Sequence, residues 1–220
     1  MPDLQTNLEK VEKNISKAAP GRLVTLIAVS KGRSVEQIKA LYSLGVHDFG
    51  ENRLQEALPK IKGCEKTCPQ IRWHFIGTLQ RNKVRQVAGL FDFVHSVDTL
   101  EIIGKIAQCQ NEFGKKPAVF IQVNISNEQT KHGFSAEKAI DAAAYAINAG
   151  LDVTGFMGIA KETTDEKELA TEFSVLGRIR REAESTFGKK FLLSAGMSGD
   201  FETALKCGSD FLRIGHALFE

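Results

Sequence analysis

The sequence has little of several features that mark specialised classes of protein. Its 220 residues include four cysteines, five prolines and one tryptophan, and 29 basic side chains nearly balance 27 acidic ones. Without a long basic block, we expect no nucleic-acid partner. No apolar run approaches the ~20 residues of a membrane helix, and the polar N-terminal segment lacks the apolar core of a signal peptide. We therefore expect a cytoplasmic protein with no membrane partner.

The few cysteines give weak support for a metal site. Cys64 and Cys68 are spaced like half of such a site, whereas Cys109 and Cys207 are isolated. No pair of histidines lies at ligand spacing to complete it. Free thiols in a reducing compartment are the simpler interpretation, and we predict no metal.

An alternation of apolar runs and amphipathic stretches fills the chain. The apolar runs, which predict strands, are 23–31, 46–52, 72–78, 92–98, 117–126, 152–160, 190–198 and 210–217. The stretches between them, which predict helices, are 34–43, 53–62, 79–88, 99–112, 136–149, 165–187 and 201–207, after a first helix at 3–18 within residues 1–20. This pattern predicts an α/β fold, a single (β/α)8 TIM barrel over residues 1–220 with an extra N-terminal helix packed on it. The alternative is an open doubly wound sheet, although its glycine-rich first turn is missing.

Helix boundaries are marked by residues that cap helices. Ser34 and Asp98 are the predicted N-caps of two of the helices, because short polar side chains accept hydrogen bonds from the first free N–H groups. Gly150 and Gly208 mark the ends of two others.

Lys31 is the most informative candidate at the carboxyl ends of the strands, where barrel active sites lie. It follows the apolar segment 24–29, and strand alternation places it on the face of Ile27 and Val29. If that face is the barrel interior, partial desolvation favours the neutral amine, a nucleophile towards carbonyl groups. The alternative is a lysine that reaches into solvent. Lys161 is a rival, although its polar surroundings indicate a solvated loop.

A candidate anion site follows the last two strands. Gly196-Met197-Ser198 is predicted to open a helix, and Gly215-His216 comes directly after the eighth strand. Free N–H groups at helix starts suit a phosphate, and barrels often bind phosphate in these two loops. Simple turn chemistry explains the same residues individually.

Two polar residues stand inside apolar strands. His74 is either a pocket residue or a satisfied structural histidine. Arg213 needs a partner if it points inward, because an unpaired buried charge is costly. A ligand acceptor or an acid such as Glu51 would serve.

Several strings together resemble one family, the pyridoxal 5′-phosphate homeostasis proteins. They are AVSK (28–31), FGENRLQEA (49–57), WHFIGTLQRNK (73–83), VHSVD (94–98), QVNIS (122–126), TKHG (130–133), GFMGI (155–159), SAGMSGDFETAL (194–205) and RIGHALF (213–219). They span nearly the whole chain, and the family is similar to the barrel domain of alanine racemase and ornithine decarboxylase. The resemblance implies a barrel that binds pyridoxal 5′-phosphate (PLP).

The resemblance also implies a role for each site residue. Lys31 would form the internal aldimine, and Asn52 and His74 would line the pocket around the cofactor ring. Ser198, Gly215 and the backbone of His216 would hold the phosphate, and Arg213 would face the pyridine nitrogen.

The sequence departs from the family pattern at two places. Gly32-Arg33-Ser34 replaces the usual Thr-Lys-Pro after the lysine, and we expect a looser loop over the pocket. His216 replaces the usual threonine or serine, so its side chain has no inherited role. Lys83 and Lys131, in family-like strings, are candidates for an effect on cofactor release.

For function, the sequence favours a PLP carrier or regulator over an enzyme. The sequence ends four residues after His216, so we expect no second domain to supply a tyrosine acid/base. Racemisation needs a base on each face of the cofactor, and only Lys31 is a candidate, so no catalytic residue is predicted. A weak amino-acid racemase and a Schiff-base lyase acting on a sugar phosphate are the alternatives. We expect a monomer, whose partners are PLP and apo PLP-dependent enzymes.

Overall fold

The computed structural model of the chain describes residues 3–128 and 130–220. Its centre is a closed barrel of eight parallel strands in sequence order. The strands are β1 (Thr25–Val29), β2 (Asp48–Glu51), β3 (Arg72–Phe75), β4 (Phe93–Val97), β5 (Ala118–Val123), β6 (Asp152–Gly158), β7 (Leu192–Ser194) and β8 (Phe211–Ile214). Ile27 on β1 pairs with Arg213 on β8, which closes the ring. The predicted (β/α)8 barrel is confirmed, and the open sheet is excluded.

Helices surround the barrel. They are α1 (Leu4–Ala18), α2 (Val35–Ser43), α3 (Leu54–Cys64), α4 (Val84–Leu90), α5 (Leu100–Phe113), α6 (Ala139–Asn148), α7 (Glu166–Phe187), α8 (Phe201–Lys206) and α9 (His216–Phe219). The predicted N-terminal helix is confirmed as α1, which buries Leu8 and Val11. The Asn7 amide donates to the Leu218 carbonyl at 3.1 Å, so α1 packs against α9. Residues 1 and 2 of the predicted N-terminal segment lie outside the described residues. Within the described part of the chain, every helix is too short or too polar to cross a membrane.

The predicted caps have different outcomes. Ser34 caps α2, and its hydroxyl accepts from the Gln37 N–H at 3.3 Å, as expected. Asp98 as the cap of α5 is wrong, because Thr99 holds the extended backbone of the N-cap and accepts from the Ile102 N–H at 3.3 Å. The Asp98 carboxylate lies instead 3.3 Å from His132 Nδ1.

Two helices, α4 and α6, begin later than predicted, because 3-10 turns at Arg81–Lys83 and Ala136–Lys138 precede them. Helix α8 begins at Phe201, as the predicted range 201–207 has it, so the expectation that Gly196-Met197-Ser198 opens a helix is wrong. The Asp200 carboxylate accepts from the Met197 N–H at 2.6 Å and holds residues 197–200 as a turn. The segments 81–83 before α4 and 197–200 before α8 are therefore polar connections at the mouth of the barrel.

The hydrophobic core has two parts. The larger part lies between the strands and the helices, and the smaller part fills the barrel interior. The interior cluster consists of Ile27, Phe120, Met157 and Phe211, with Phe93, Ile159 and Leu192 packed against it. This apolar filling makes the barrel a packed core with a polar mouth rather than a pore.

Candidate functional site

Lys31 lies at the carboxyl-end face of the barrel, in the turn that follows β1. It is exposed, and the predicted partial desolvation of its amine is therefore wrong. The physical reason is that β1 ends at Val29, so strand alternation no longer governs where Lys31 points. The solvent-exposed alternative is confirmed, which leaves the amine accessible.

A buried ion pair holds the end of β1 directly before Lys31. The Lys60 ammonium on α3 donates to the Ser30 carbonyl at 2.6 Å and to Glu51 Oε1 at 2.7 Å. The Ser30 hydroxyl donates to the same Glu51 oxygen at 2.6 Å. Glu51 is fully buried and Lys60 is 7% exposed. Glu51 as the partner of Arg213 is therefore wrong, because Lys60 occupies its carboxylate and fixes the residue preceding Lys31.

Asn52 contributes to a cleft beside the barrel mouth. The cleft has a volume of about 650 Å³, within the range of small-molecule sites, and its lining includes Asn52, Gly77, Lys83 and Ile159. A side chain at Gly77 would place a Cβ 2.1 Å from the Asn52 carbonyl oxygen, so only glycine permits this close approach. The side-chain Oδ1 of Asn52 is buried and has no hydrogen-bond partner among the described residues. The amide is therefore available to a ligand.

The candidate anion site is assembled from two loops, as predicted. The Ser198 hydroxyl accepts from the Ala217 N–H at 3.3 Å, which brings the loop after β7 against the start of α9. Gly215 is the N-cap of α9, and a Cβ there would lie 3.3 Å from the Val29 carbonyl oxygen. The first N–H groups of any helix have no intrahelical acceptor. These loops can therefore present backbone and hydroxyl donors to a phosphate.

The His216 side chain points away from this site. It is 76% exposed, and its Nδ1 lies 2.6 Å from the Glu220 carboxylate. Arg33 pairs with the same carboxylate and lies over the Phe219 ring, 5.1 Å from its centroid. Arg33 thereby links the loop after Lys31 to α9, and the expectation of a looser loop stays a prediction.

Arg213 points into the barrel and is 4% exposed. Its Nη1 donates to the Ser194 carbonyl at 2.8 Å and to the Ser194 hydroxyl at 2.9 Å, and its Nη2 donates to the Gly158 carbonyl at 3.1 Å. These acceptors are all neutral. Burial lowers the pKa of Arg213 to about 10, with Asp200 opposing the shift, so the guanidinium stays cationic at neutral pH.

His74 lies deeper than its predicted place beside a cofactor ring. It is fully buried and stacks on Phe93 with ring centroids 4.4 Å apart. Its Nε2 lies 2.8 Å from Asp48 and its Nδ1 lies 2.9 Å from His95. The alternative interpretation, a satisfied structural histidine, matches this geometry. A contact between His74 and a cofactor ring stays a prediction.

Two other lysines near the mouth, Lys161 and Lys131, are engaged with acids or the backbone. Lys161 lies 3.2 Å from Glu168, whose hydrogen bond raises the pKa of the lysine and disfavours a nucleophilic amine. Lys131 pairs with Glu128 and donates to the Ala160 carbonyl at 3.1 Å. Lys161 and Lys131 line a second cleft of about 1000 Å³ that also includes Met197 and Ile159. Because Ile159 borders both clefts, they meet at the centre of the mouth, whereas Lys31 lines neither.

Metal-ligating side chains are dispersed in the parts of the chain that the structure describes. Residues 3–128 and 130–220 contain no group of three or more histidine, cysteine or acidic residues that could hold a metal ion. Cys64 and Cys68 are buried thiols, and burial raises the pKa of Cys64 to about 11.

Sequence reasoning missed the connections of His95 and Ser194. The His95 Nδ1 atom lies 2.9 Å from the Ser194 hydroxyl, although 99 residues separate the two in the chain. Strand alternation was the available signal, since both residues share the inward face with the interior cluster. Lys60 was missed because a lysine on a helix is usually solvated.

The chain is similar in sequence to proteins of one named group. It matches the family described as alanine racemase, N-terminal domain, over residues 3–220. It is 35% identical over 227 residues to the pyridoxal phosphate homeostasis protein of Vibrio alginolyticus, covering 100% of this chain and 97% of that protein. It is 32% identical over 224 residues to the protein of the same name from Schizosaccharomyces pombe, covering 100% of this chain and 93% of that one.

Solved structures show the same barrel. PipY of Synechococcus elongatus PCC7942 with PLP bound is 26% identical, with a TM-score of 0.88 over 99% of this chain and 100% of that chain. Alanine racemase of Clostridium difficile 630 is 15% identical, with a TM-score of 0.79 over 100% of this chain and 56% of that chain. The second likeness shows the fold alone.

Proposed function

Because the chain belongs to the alanine racemase N-terminal domain family, and within it to the pyridoxal phosphate homeostasis proteins, we propose that it binds PLP at the mouth of its barrel. The observation that carries the proposal is the full-length similarity to PipY, whose structure with PLP bound has the same fold. We infer that the protein holds and releases this cofactor in PLP and amino-acid homeostasis.

The residues at the mouth fit the cofactor. Asn52 offers a buried amide oxygen that no described residue bonds, and Gly215 leaves a space at the start of α9 that a Cβ would reduce. Ser198 and the backbone of Gly215 and His216 would hold the phosphate, and Arg213 would face the pyridine nitrogen. His74 is connected to Arg213 through His95 and Ser194. The bound group supplies an electrophilic aldehyde and an electron-withdrawing ring.

Lys31 would hold the aldehyde carbon covalently. An accessible amine at this position would bind the aldehyde of PLP reversibly, with one water molecule released on binding and taken up again on release. Lys60 and Glu51 keep the preceding residue in place while Lys31 stays exposed. This accessibility favours a carrier, because water and an acceptor protein can reach the bond.

The arrangement favours a carrier over a racemase. A racemase needs a second base opposite Lys31. Tyr42 lies on α2 and Tyr145, 47% exposed, lies on α6, both on the outer layer of helices. A cationic Arg213 beside the ring nitrogen would also oppose its protonation and weaken the electron sink.

The proposed partners and location follow from this role. A carrier delivers its aldehyde to apo PLP-dependent enzymes. The four cysteines are unpaired, which fits the reducing cytoplasm.

Borohydride trapping tests the proposal. The protein is incubated with PLP, reduced, digested and mapped by mass spectrometry. A phosphopyridoxyl group on Lys31 is expected, and it should disappear in Lys31→Arg but remain in the control Lys161→Arg. A label on Lys161, or no label, would overturn the site.

A second assay separates the carrier from the enzyme alternatives. The loaded protein is incubated with L-amino acids and analysed by chiral chromatography. A carrier produces no steady D-amino acid. Turnover that depends on Lys31 would establish the racemase instead, and consumption of a sugar phosphate by a colourless protein would establish the lyase.

A further inference from the structure

A chain of hydrogen bonds crosses the barrel interior from β2 to β8. Its four links join Asp48 Oδ1 to His74 Nε2 at 2.8 Å, His74 Nδ1 to His95 Nε2 at 2.9 Å, His95 Nδ1 to Ser194 Oγ at 2.9 Å, and Ser194 Oγ to Arg213 Nη1 at 2.9 Å. We call these five residues the interior relay. They come from five different strands, so only the closed barrel brings them together.

The ends of the interior relay are charged. Hydrogen bonds from His74 and Arg72 outweigh the burial that would otherwise raise the pKa of Asp48, and hold it below its usual value. Asp48 is therefore an anion, and Arg213 is a cation. Asp48 also accepts from Arg72 at 2.6 Å, and the Arg72 side chain is 53% exposed.

The two histidines between these ends are neutral. Burial lowers the pKa of His74 despite the opposing effect of Asp48. Burial, then His74 and Arg213, lower the pKa of His95 well below its usual value. Two further carboxylates among the described residues act on the relay: Asp92 raises the pKa of His74, and Asp200 raises the pKa of Arg213, each against the larger effect of burial.

Neutral histidines and charged ends fix the position of every proton. The Asp48 carboxylate only accepts, so His74 carries its proton on Nε2 and its Nδ1 must accept. His95 therefore donates from Nε2, and its Nδ1 accepts from the Ser194 hydroxyl. The Ser194 oxygen in turn accepts from Arg213. All four donors point in one direction, from the cation to the anion.

This alignment compensates for the uncharged surroundings of the buried Arg213 guanidinium. Its direct acceptors are Ser194 and the Gly158 carbonyl, none of which carries a charge. Hydrogen bonds that run head to tail polarise one another, so the anion at the far end strengthens the acceptor next to the cation. The relay thus stabilises a buried guanidinium to which no carboxylate of residues 3–128 and 130–220 bonds directly.

We propose that Asp48, His74, His95 and Ser194 are positioning residues for Arg213. They fix its guanidinium at the floor of the mouth and transmit to it the negative charge of Asp48. The effect on a bound cofactor rests on the proposed function, in which Arg213 faces the pyridine nitrogen of PLP. The electrostatic potential at that nitrogen then depends on the negative charge of Asp48, at the other end of the interior relay.

The ligand-free protein tests the positioning itself. In protein labelled with 15N in histidine and arginine, NMR at pH 7 should show His74 and His95 neutral with the proton on Nε2. Ser194→Ala should speed hydrogen exchange of the Arg213 guanidinium about tenfold, as expected for one lost hydrogen bond. The matched control is Phe93→Leu, which loosens packing on His74 without removing a link. A cationic histidine, a proton on Nδ1, or unchanged Arg213 exchange in Ser194→Ala would overturn the proposal.

The loaded protein tests the transmission of charge. Asp48→Asn keeps an acceptor oxygen for His74 but removes the negative charge. We expect the pH midpoint of the visible band of bound PLP to move to lower pH, with about a threefold change in the proton dissociation constant. An unchanged midpoint would overturn the proposal that the negative charge of Asp48 is transmitted to Arg213. If the protein binds no PLP, the proposed function fails, and the NMR experiment still decides the interior relay.

Discussion

The Nδ1 atom of His74 lies 2.9 Å from the Nε2 atom of His95, and neither ring is reached by solvent. A proton added to His74 would remove the acceptor of this contact, whereas a proton added to His95 would remove the acceptor of the Ser194 hydroxyl. Either would place a positive charge near Arg213, so the interior relay keeps its hydrogen bonds only while both rings are neutral.

The stability of the protein should fall when the pH is lowered from 7 to 5. Burial lowers the pKa values of His74 and His95 in the fold, so below the unfolded value of about 6.5 the unfolded chain binds more protons. The free energy of unfolding should then decrease by up to about 1.4 kcal/mol per pH unit for each histidine. Urea unfolding across this pH range measures the slope.

His95→Gln supplies the comparison for this slope. It removes one of the two neutral rings, so the slope of the unfolding free energy against pH should fall by the contribution of about one proton. Phe93→Leu should lower stability without changing that slope. Equal slopes in the wild type and His95→Gln would contradict the assignment of neutral His95.

Lys60→Met should destabilise the protein strongly. It leaves the fully buried Glu51 carboxylate without its cation, which costs about 3–5 kcal/mol in buried pairs. Denaturant unfolding checks this value, with Lys62→Met on the exposed side of α3 as the matched control. Adding Glu51→Gln to Lys60→Met should recover part of the loss. A cost as small as that of the control would refute a buried pair.

Ser198→Ala should weaken the binding of PLP much more than the binding of pyridoxal. A lost hydrogen bond to a charged group costs about 1.5–3 kcal/mol, or roughly ten- to a hundredfold in affinity. Fluorescence titration with both compounds measures the difference, and the exposed Ser174→Ala on α7 is the control. Equal losses for the two compounds would mean that Ser198 does not hold the phosphate.

The sequence predicted the barrel because its strands are buried on both faces and therefore read as apolar runs. The Ser34 cap was also predictable from the sequence, because the capping box joins residues three apart in the chain. The cap of α5 was missed because Asp98 and Thr99 are adjacent candidates, and only backbone geometry distinguishes them.

The candidate site was less predictable than the fold. The loops of Ser198 and Gly215 meet as expected because they follow neighbouring strands. The exposure of Lys31 depended on where β1 ends, which apolar periodicity locates only to within a few residues. The partners of Arg213 and His95 depend on contacts across the barrel, and no spacing along the chain encodes them.

The pairing of β1 with β8 has a consequence for synthesis on the ribosome. Val29 lies two residues before Lys31, and it packs against Gly215. Lys31 and the loop at Gly215 are thus neighbours in the fold although most of the barrel is synthesised between them. A growing polypeptide that has exposed Lys31 cannot assemble the proposed site until Gly215 has also left the ribosome.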